Sequence, residues 1–271
     1  MPKERVLITV KTYPALSSKY DEVVCTAGLR ENGTWVRLYP IPFRKLEEIE
    51  QYKKFDIVEV DLVRNTSDPR PESFRVQYGI KVVEHIDHQN WHIRRRRVLE
   101  NAAVYTDFEQ LITDNKSDRG VSLATFKPSK IIRMEIEEDE REWNAEKLEK
   151  VKLKSKQNKL FEDNDKVFSV VSKLPYKFKY VFTDVTGRER TLTINDWEIG
   201  ALFWKEKKRF GGDETKALES VKHMYLTQHI KDRDVHFFVG TTQSWDSMNA
   251  PNPFMIIGVF TPPHEFQQSL F

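Results

Sequence analysis

The sequence predicts a mixed α/β protein of the α+β type: two β-rich halves with the character of curled sheets or small barrels, and helices packed against them. In the first half, short strand-like runs follow one another through turn residues, the pattern of a barrel or strongly curled sheet. In the second half, strand patterns flank two segments of helical apolar period. Between them the composition changes, Glu135 to Glu142 being largely acidic and EKLEKVKLKSKQNKL largely basic. The expected organisation is a β-rich domain over 1–140, a charged linker or exposed helix over 141–166, and an α+β domain ending in a β-hairpin over 167–271.

The elements follow in order. RVLITVKTY alternates as a strand does, and VVCTAGLRENGTWVRLYP gives two strands around Glu31, Asn32 and Gly33, Asn-Gly being a strong signal for a tight hairpin. On the second strand Trp35, Arg37 and Tyr39 share a face that is aromatic and basic, while Val36 and Leu38 share the face expected to be buried. A short helix is expected at RKLEEIEQY, then strands at FDIVEVDLV and SFRVQYGIKVVEHI across the turn-rich NTSDPRPE. WHIRRRRVLENAAVYTDFEQLITD reads as helix and VSLATFKPSKIIRMEIEE as strand. KFKYVFTDVTGRERTLTI predicts a hairpin around Thr186 and Gly187. Asn195, followed three residues later by Glu198, predicts a capping box opening the helix DWEIGALFWKEKKRF. Leu218, Val221 and Tyr225 place a helix over about Glu214 to Ile230, and DVHFFVGTT and PFMIIGVF close the chain as strands around the loop QSWDSMNAPN.

Composition narrows the function classes. A chain of 271 residues, 39% hydrophobic and 32% charged, describes a folded protein with a heavily charged surface. No apolar run approaches the roughly 20 residues that span a bilayer, and MPKERVLITV lacks a signal-peptide pattern, so no membrane association and a cytoplasmic location are expected. The single cysteine, Cys25, excludes an internal disulfide framework and a multi-cysteine zinc site, and its neighbours Val23, Val24 and Ala27 favour a small buried side chain over a reactive thiolate. No Gly-rich phosphate loop, nucleophile elbow or paired-cysteine motif occurs, and no cofactor is expected. His85, His88 and His92 have helical spacing and could hold a metal with Asp87, but nothing else supports a metal site.

A net charge of +2 decides little, whereas its distribution points to nucleic acid. Arg94, Arg95, Arg96 and Arg97 follow Trp91 and His92, and consecutive arginines on a helix point all round, suited to phosphates unless acidic residues of the chain pair with them. A second basic cluster, Lys205, Lys207, Lys208 and Arg209, follows Phe203 and Trp204. Charge interleaved with rings is what a nucleic-acid groove uses, although for Trp197 and Trp204, seven residues apart, a place in the core is the better reading. In KTYPALSSKYDEVVC, Lys11 and Lys19 are candidates for phosphate contact and Tyr13 and Tyr20 for stacking or a base edge; packing of both tyrosines on the core stays open. Arg37 joins these candidates from its strand face, and Trp245 from the long final loop, where it either stacks on a base or folds back over the barrel end.

DVHFFVGTT followed by PFMIIGVF resembles the terminal strands of the PUA, ASCH and EVE group of small barrels, and YKKFDIVEVDL resembles a barrel strand of that group. KTYPALSSKYDEVVC also resembles a stretch in uncharacterised bacterial proteins. The first resemblance implies binding of RNA or of modified bases in DNA, an extruded base held in an aromatic-lined pocket, and Trp245 as a wall of it. The function expected is binding of DNA or RNA, with selection of an unusual or flipped-out base. The alternative is an enzyme acting on such a base, an N-glycosylase or nuclease, for which Asp21, Glu22, Asp196 and Asp246 are the available carboxylates. A protein-interaction module using the charged centre is a third class.

Overall fold

The computed structural model describes residues 3–17, 21–159 and 170–264, with the side chains of Asp21, Lys45, Lys152 and 154–159 left aside. Lys19 and Tyr20 therefore lie outside the described residues, as does 160–166 of the expected linker. Strands β1 (Glu4–Lys11), β2 (Ala15–Ser17), β3 (Asp21–Arg30), β4 (Trp35–Ile41), β5 (Asp56–Arg64) and β6 (Ser73–His85) form the first sheet. Its order β1-β5-β6-β4-β3 closes on itself through a β1–β3 pairing, giving a five-stranded barrel with β2 appended to β3. Alternate residues fill it: Val6, Ile8, Val24, Val36, Leu38, Val58, Val60 and Leu62 form the interior cluster. A register shift between Ile8 and Val10 turns Val10 outward. Gly33 makes the β3–β4 turn at φ 79°, and a Cβ there would come within 1.8 Å of the Asn101 carbonyl oxygen. RKLEEIEQY forms two 3₁₀ turns, Phe43–Lys45 and Glu48–Glu50, in place of one helix. Phe43 and Tyr52 pack ring to ring at 4.9 Å, pinning this segment at both ends to the barrel.

The rest of the chain adds α1 (Trp91–Arg95), continued by a π turn over Arg96–Glu100, then β7 (Val104–Tyr105), α2 (Phe108–Lys116), β8 (Leu123–Phe126), β9 (Lys130–Glu138) and α3 (Ala145–Lys159). It ends with β10 (Tyr176–Thr183), β11 (Glu189–Ile194), α4 (Trp197–Arg209), α5 (Glu214–His223), β12 (His236–Thr241), α6 (Gln243–Ser247) and β13 (Phe254–Phe260). The second sheet runs β7-β8-β12-β13-β11-β10-β9, parallel only at β7–β8 and β11–β13. The fold is therefore α+β. The segment from Trp91 to Asp114, expected as one helix, is broken by β7, which pairs with β8. Asp196, one residue later than expected, caps α4 by accepting the Glu198 N–H at 3.2 Å, because the Asn195 N–H is held by the Ile256 carbonyl at 2.7 Å. The terminal strands β12 and β13, which by resemblance belong to a barrel, lie in the middle of the second sheet. Phe237 and Val239 face the cluster shared with α2, α4 and α5, while Phe238 faces the barrel. Burial on both faces explains the unbroken apolar run of β12.

The two sheets meet along a seam. Leu7, Ala27, Leu29 and Ile57 of the barrel pack on Leu123, Phe238, Ile257 and Phe260. The face of β4 that reads as aromatic and basic is turned into this seam, so Arg37 is only 1% exposed. Its polar character serves contact between the halves. No described helix is long and apolar enough to cross a membrane.

Candidate ligand cleft

A cleft of about 190 Å³ opens in the seam where β12 ends and β13 begins. Tyr13, Cys25, Arg37 and Tyr39 line it from the barrel, Arg70 from the β5–β6 loop, and Asn195, Thr241, Gln243 and Met255 from the second half. β3 holds the near wall: the Thr12 N–H donates to the Cys25 carbonyl at 3.0 Å, and the Cys25 N–H donates to Thr12 Oγ1 at 3.0 Å. Tyr13 is fixed at its tip, donating to the Ser172 carbonyl and accepting from Trp204 Nε1, both at 2.8 Å. Its ring lies so close to α4 that a Cβ on Gly200 would fall 2.3 Å from it. Burial raises the pKa of this hydroxyl.

The two guanidiniums are held differently. Arg70 forks onto Asp68 with Nε at 2.8 Å and Nη2 at 2.6 Å, and donates from Nη1 to the Thr241 carbonyl at 2.6 Å. Burial works against ionisation of Asp68, yet the bonds from Arg70 and Ser73 hold its carboxyl down at about 2. Arg37 donates to Ser122 Oγ at 2.9 Å and to its carbonyl at 3.0 Å, and Ser122 in turn gives its hydroxyl and N–H to Glu72 at 2.6 and 3.0 Å. Burial lowers the Arg37 pKa, opposed by Glu72 at the end of that relay and by Asp68. One buried polar atom in the lining is unanswered: Thr241 is 6% exposed, and its Oγ1 has no partner among the described residues.

The structure brings together some of the residues that the sequence singles out. Tyr13 and Arg37 line the cleft, and Trp245, 39% exposed, sits in α6 two residues beyond Gln243. Lys11 lies deeper in the seam, its Nζ over the rings of Phe43 at 4.1 Å and Trp197 at 4.5 Å. Burial, only partly opposed by Glu198 and Asp196, brings its pKa down to about 8. The arginine run is dispersed. Arg94 is buried and donates twice to the Ile86 carbonyl, Arg95 pairs with Asp234 at 2.6 Å, Arg96 is exposed, and Arg97 lines a shallow groove with Arg5 and Arg30. Lys207 pairs with Glu214 and Arg209 with Glu206, both at 2.7 Å, while Lys208 is exposed.

Of the carboxylates, Glu22 is buried and bound by Arg44 at 2.8 Å and the Val171 N–H, and Asp246 accepts from Asn115 at 2.9 Å. Asp196 is fully buried against Lys54 at 3.3 Å, and Lys54 also binds Glu198 at 2.7 Å. Burial opposes the Lys54 charge, but the two carboxylates raise its pKa above the ordinary lysine value. His85 ends β6 against Asp56 and His88 pairs with Asp87, so the three histidines share no helix. No group of three metal-ligating side chains occurs among the described residues.

Arg70, Asn195 and Thr241 are cleft residues that sequence reasoning missed. Arg70 sits in NTSDPRPE, which reads as a connector; the Asp two positions before it is the available signal, since such a pair can close locally. Asn195 reads as a helix cap and Thr241 as an ordinary strand end.

Residues 2–101 match the model of a domain of unknown function, DUF8758, and residues 104–271 match that of a second, DUF8757. No curated protein matches the chain. Among solved structures, a murine DNA binding protein bound with double-stranded DNA is similar at 10% identity and a TM-score of 0.31, over 99% of this chain and 100% of that one, a likeness too low to carry an argument. The second domain model spans more than half of the sequence, and the chain belongs to the DUF8757 family.

Proposed function

We propose that the cleft receives one flat, acceptor-rich ring, a nucleobase turned out of a DNA or RNA strand. The observation that carries this reading is the character of the lining. Two guanidiniums, two side-chain amides and a buried, unpaired threonine hydroxyl face it beside two tyrosines, and no Asp or Glu lines it among the described residues. Donors without carboxylates favour the carbonyl and ring-nitrogen acceptors of a base edge. The volume of about 190 Å³ falls below the roughly 300–1,000 Å³ of pockets for larger ligands, which suits a ring alone. Trp245 and Lys208, both exposed, are available for the adjoining strand. Of the stretches that carry the resemblance to the PUA, ASCH and EVE group, YKKFDIVEVDL lies in the closed barrel as β5, whereas β12 and β13 belong to the second sheet.

Of the candidate carboxylates for a glycosylase or nuclease, Glu22, Asp196 and Asp246 are each engaged by another group and none lines the cleft, which favours recognition over cleavage. Incubation with modified and unmodified DNA and RNA oligonucleotides, scored separately for retention and for abasic or broken products, tests this. Retention that depends on an unpaired or modified base is expected. Absence of retention for every strand sinks the reading, and product formation transfers it to the enzymatic class.

A further inference from the structure

At the opposite end of the β12–β13 pair a second cleft, of about 340 Å³, lies between the barrel, α1 and the segment that follows α5. We infer that this cleft is a phosphate-binding site, held by Arg94 and Arg233 around the ring of Trp91. The inference does not rest on what the first cleft holds.

Several buried or half-buried arginines among the described residues have an acidic partner: Arg70 has Asp68, Arg95 has Asp234 and Arg190 has Asp184. Arg94 and Arg233 have no carboxylate within ion-pair distance among the described residues. Their guanidinium carbons stand 5.5 and 5.7 Å from the Trp91 ring centre, and Arg94 also lies 4.0 Å over the Phe55 ring. Arg94 is rigid, since Nε and Nη2 both donate to the Ile86 carbonyl at 3.0 and 2.6 Å, which leaves Nη1 without a partner among the described residues. Nη1 of Arg233 is buried and likewise unpartnered, as is Nδ1 of His229 beside it in the lining. Buried polar nitrogens left unpaired are costly, and an anion in the cleft that both arginines line gives them an acceptor and a counter-charge.

The occupant follows from shape and charge. Guanidinium forks match phosphate oxygens, and a phosphate carries enough charge and acceptors for two arginines at once. Glu198 at the rim opposes an anion, but Lys54 engages it at 2.7 Å. The aromatic wall and the cleft's size leave room for a ring attached to the phosphate. The same chemistry is offered by a free nucleotide or by the backbone of a strand.

Calorimetric titration of the intact chain with inorganic phosphate, with adenosine 5′-monophosphate and with a single-stranded oligonucleotide tests the inference. Binding of the mononucleotide is expected, weakened about tenfold or more in Arg233→Gln and largely retained in Arg233→Lys, with the urea midpoint of both near that of the parent. A mononucleotide displaced by the oligonucleotide assigns the site to a strand, and one that is not displaced assigns it to free nucleotide. No binding of phosphate or mononucleotide at millimolar concentration overturns the inference, and so does an Arg233→Gln variant that binds as the parent does. Thr241→Val, which alters only the first cleft, is expected to leave this titration unchanged.

Discussion

The two clefts share the β12–β13 pair, one at each end, and both are walled by the barrel on one side and the second half on the other. They differ in which charges the protein answers for itself. In the first, both arginines are held, Arg70 by Asp68 and Arg37 through Ser122 and Glu72, and what remains open is a hydroxyl. In the second, the lysine is held by Asp196 and Glu198, and what remains open is Nη1 of Arg233, beside an Arg94 that has no carboxylate partner among the described residues. A buried charge therefore says little until its partner is counted. The same seam uses ion pairs to join its halves and leaves donors at its two ends.

The largest expected effect comes from the wall they share. Phe238 lies between the clefts, fully buried against Trp35 at 5.5 Å and Phe260 at 5.8 Å. Phe238→Ala is expected to cost about 3–5 kcal/mol of unfolding free energy and to weaken ligand binding at both ends together. Urea unfolding with parallel titrations measures this. Binding lost at one end only would show that the clefts do not depend on a common wall.

Next is the ion-pair corner of the second cleft. Lys54 gives its shorter bond to Glu198, whose side chain is half exposed, so the fully buried Asp196 is the carboxylate that takes up a proton first. Burial pushes its pKa up to about 6, against the pull of Lys54; Glu198 and Lys11 face the same corner. A carboxyl whose pKa is raised on folding contributes stability that is complete below the unfolded value near pH 4 and is lost as pH rises through about 6. The isosteric cap Asp196→Asn lacks this proton. Parent-minus-variant stability is expected to fall between pH 4 and 6.5 by up to about 3 kcal/mol, two pKa units at 1.36 kcal/mol each. A flat difference would mean that Asp196 stays ionised, and that the corner is a plain salt bridge.

Much of the barrel was legible because its strands alternate and its turns are marked. Val58, Val60 and Leu62 fill the interior at period two, and Asn32-Gly33 marks the β3–β4 turn. The clefts were legible only in part. Tyr13, Arg37 and Trp245 drew notice as aromatic and basic residues in places where plain connectors or surfaces would differ. Arg70 and Asn195 became cleft residues through contacts with distant segments, the Thr241 carbonyl and Met255, which local pattern does not encode. The arginine run misled for the same reason: Arg94 and Arg95 are drawn apart, one to a backbone carbonyl and the other to Asp234. Sequence adjacency conveys charge density, whereas the fold decides where each guanidinium goes.

Trp245 sharpens the comparison at the first cleft. It is exposed and held through its backbone, its N–H donating to Thr242 Oγ1 at 3.3 Å and its carbonyl accepting from the Ala250 N–H. Trp245→Ala is expected to cost roughly 1–3 kcal/mol of oligonucleotide affinity, with Trp245→Phe retaining most of it because a flat ring remains. Phosphate binding at the second cleft should not change. Quenching of tryptophan emission by the oligonucleotide that persists in Trp245→Phe would remove Trp245 from the contact.

The smallest expected change in stability belongs to Thr241, and for that reason it separates site from scaffold most cleanly. Its Oγ1 is buried without a partner, so the folded protein bears the desolvation of a hydroxyl with no bond in return. Thr241→Val keeps the branched shape and β-propensity while deleting the oxygen. Removing an unsatisfied buried group is expected to leave stability unchanged or to raise it by up to about 1 kcal/mol. The backbone carbonyl that accepts from Arg70 is untouched by the substitution. If the hydroxyl exists to meet a ligand, the same variant should bind an unpaired-base oligonucleotide about fivefold more weakly, the loss of one ordinary hydrogen bond. Stability up and affinity down together are what a binding cleft requires. Stability down, with affinity intact, would place Thr241 in the scaffold and remove the unpaired hydroxyl from the case for a ring in the first cleft.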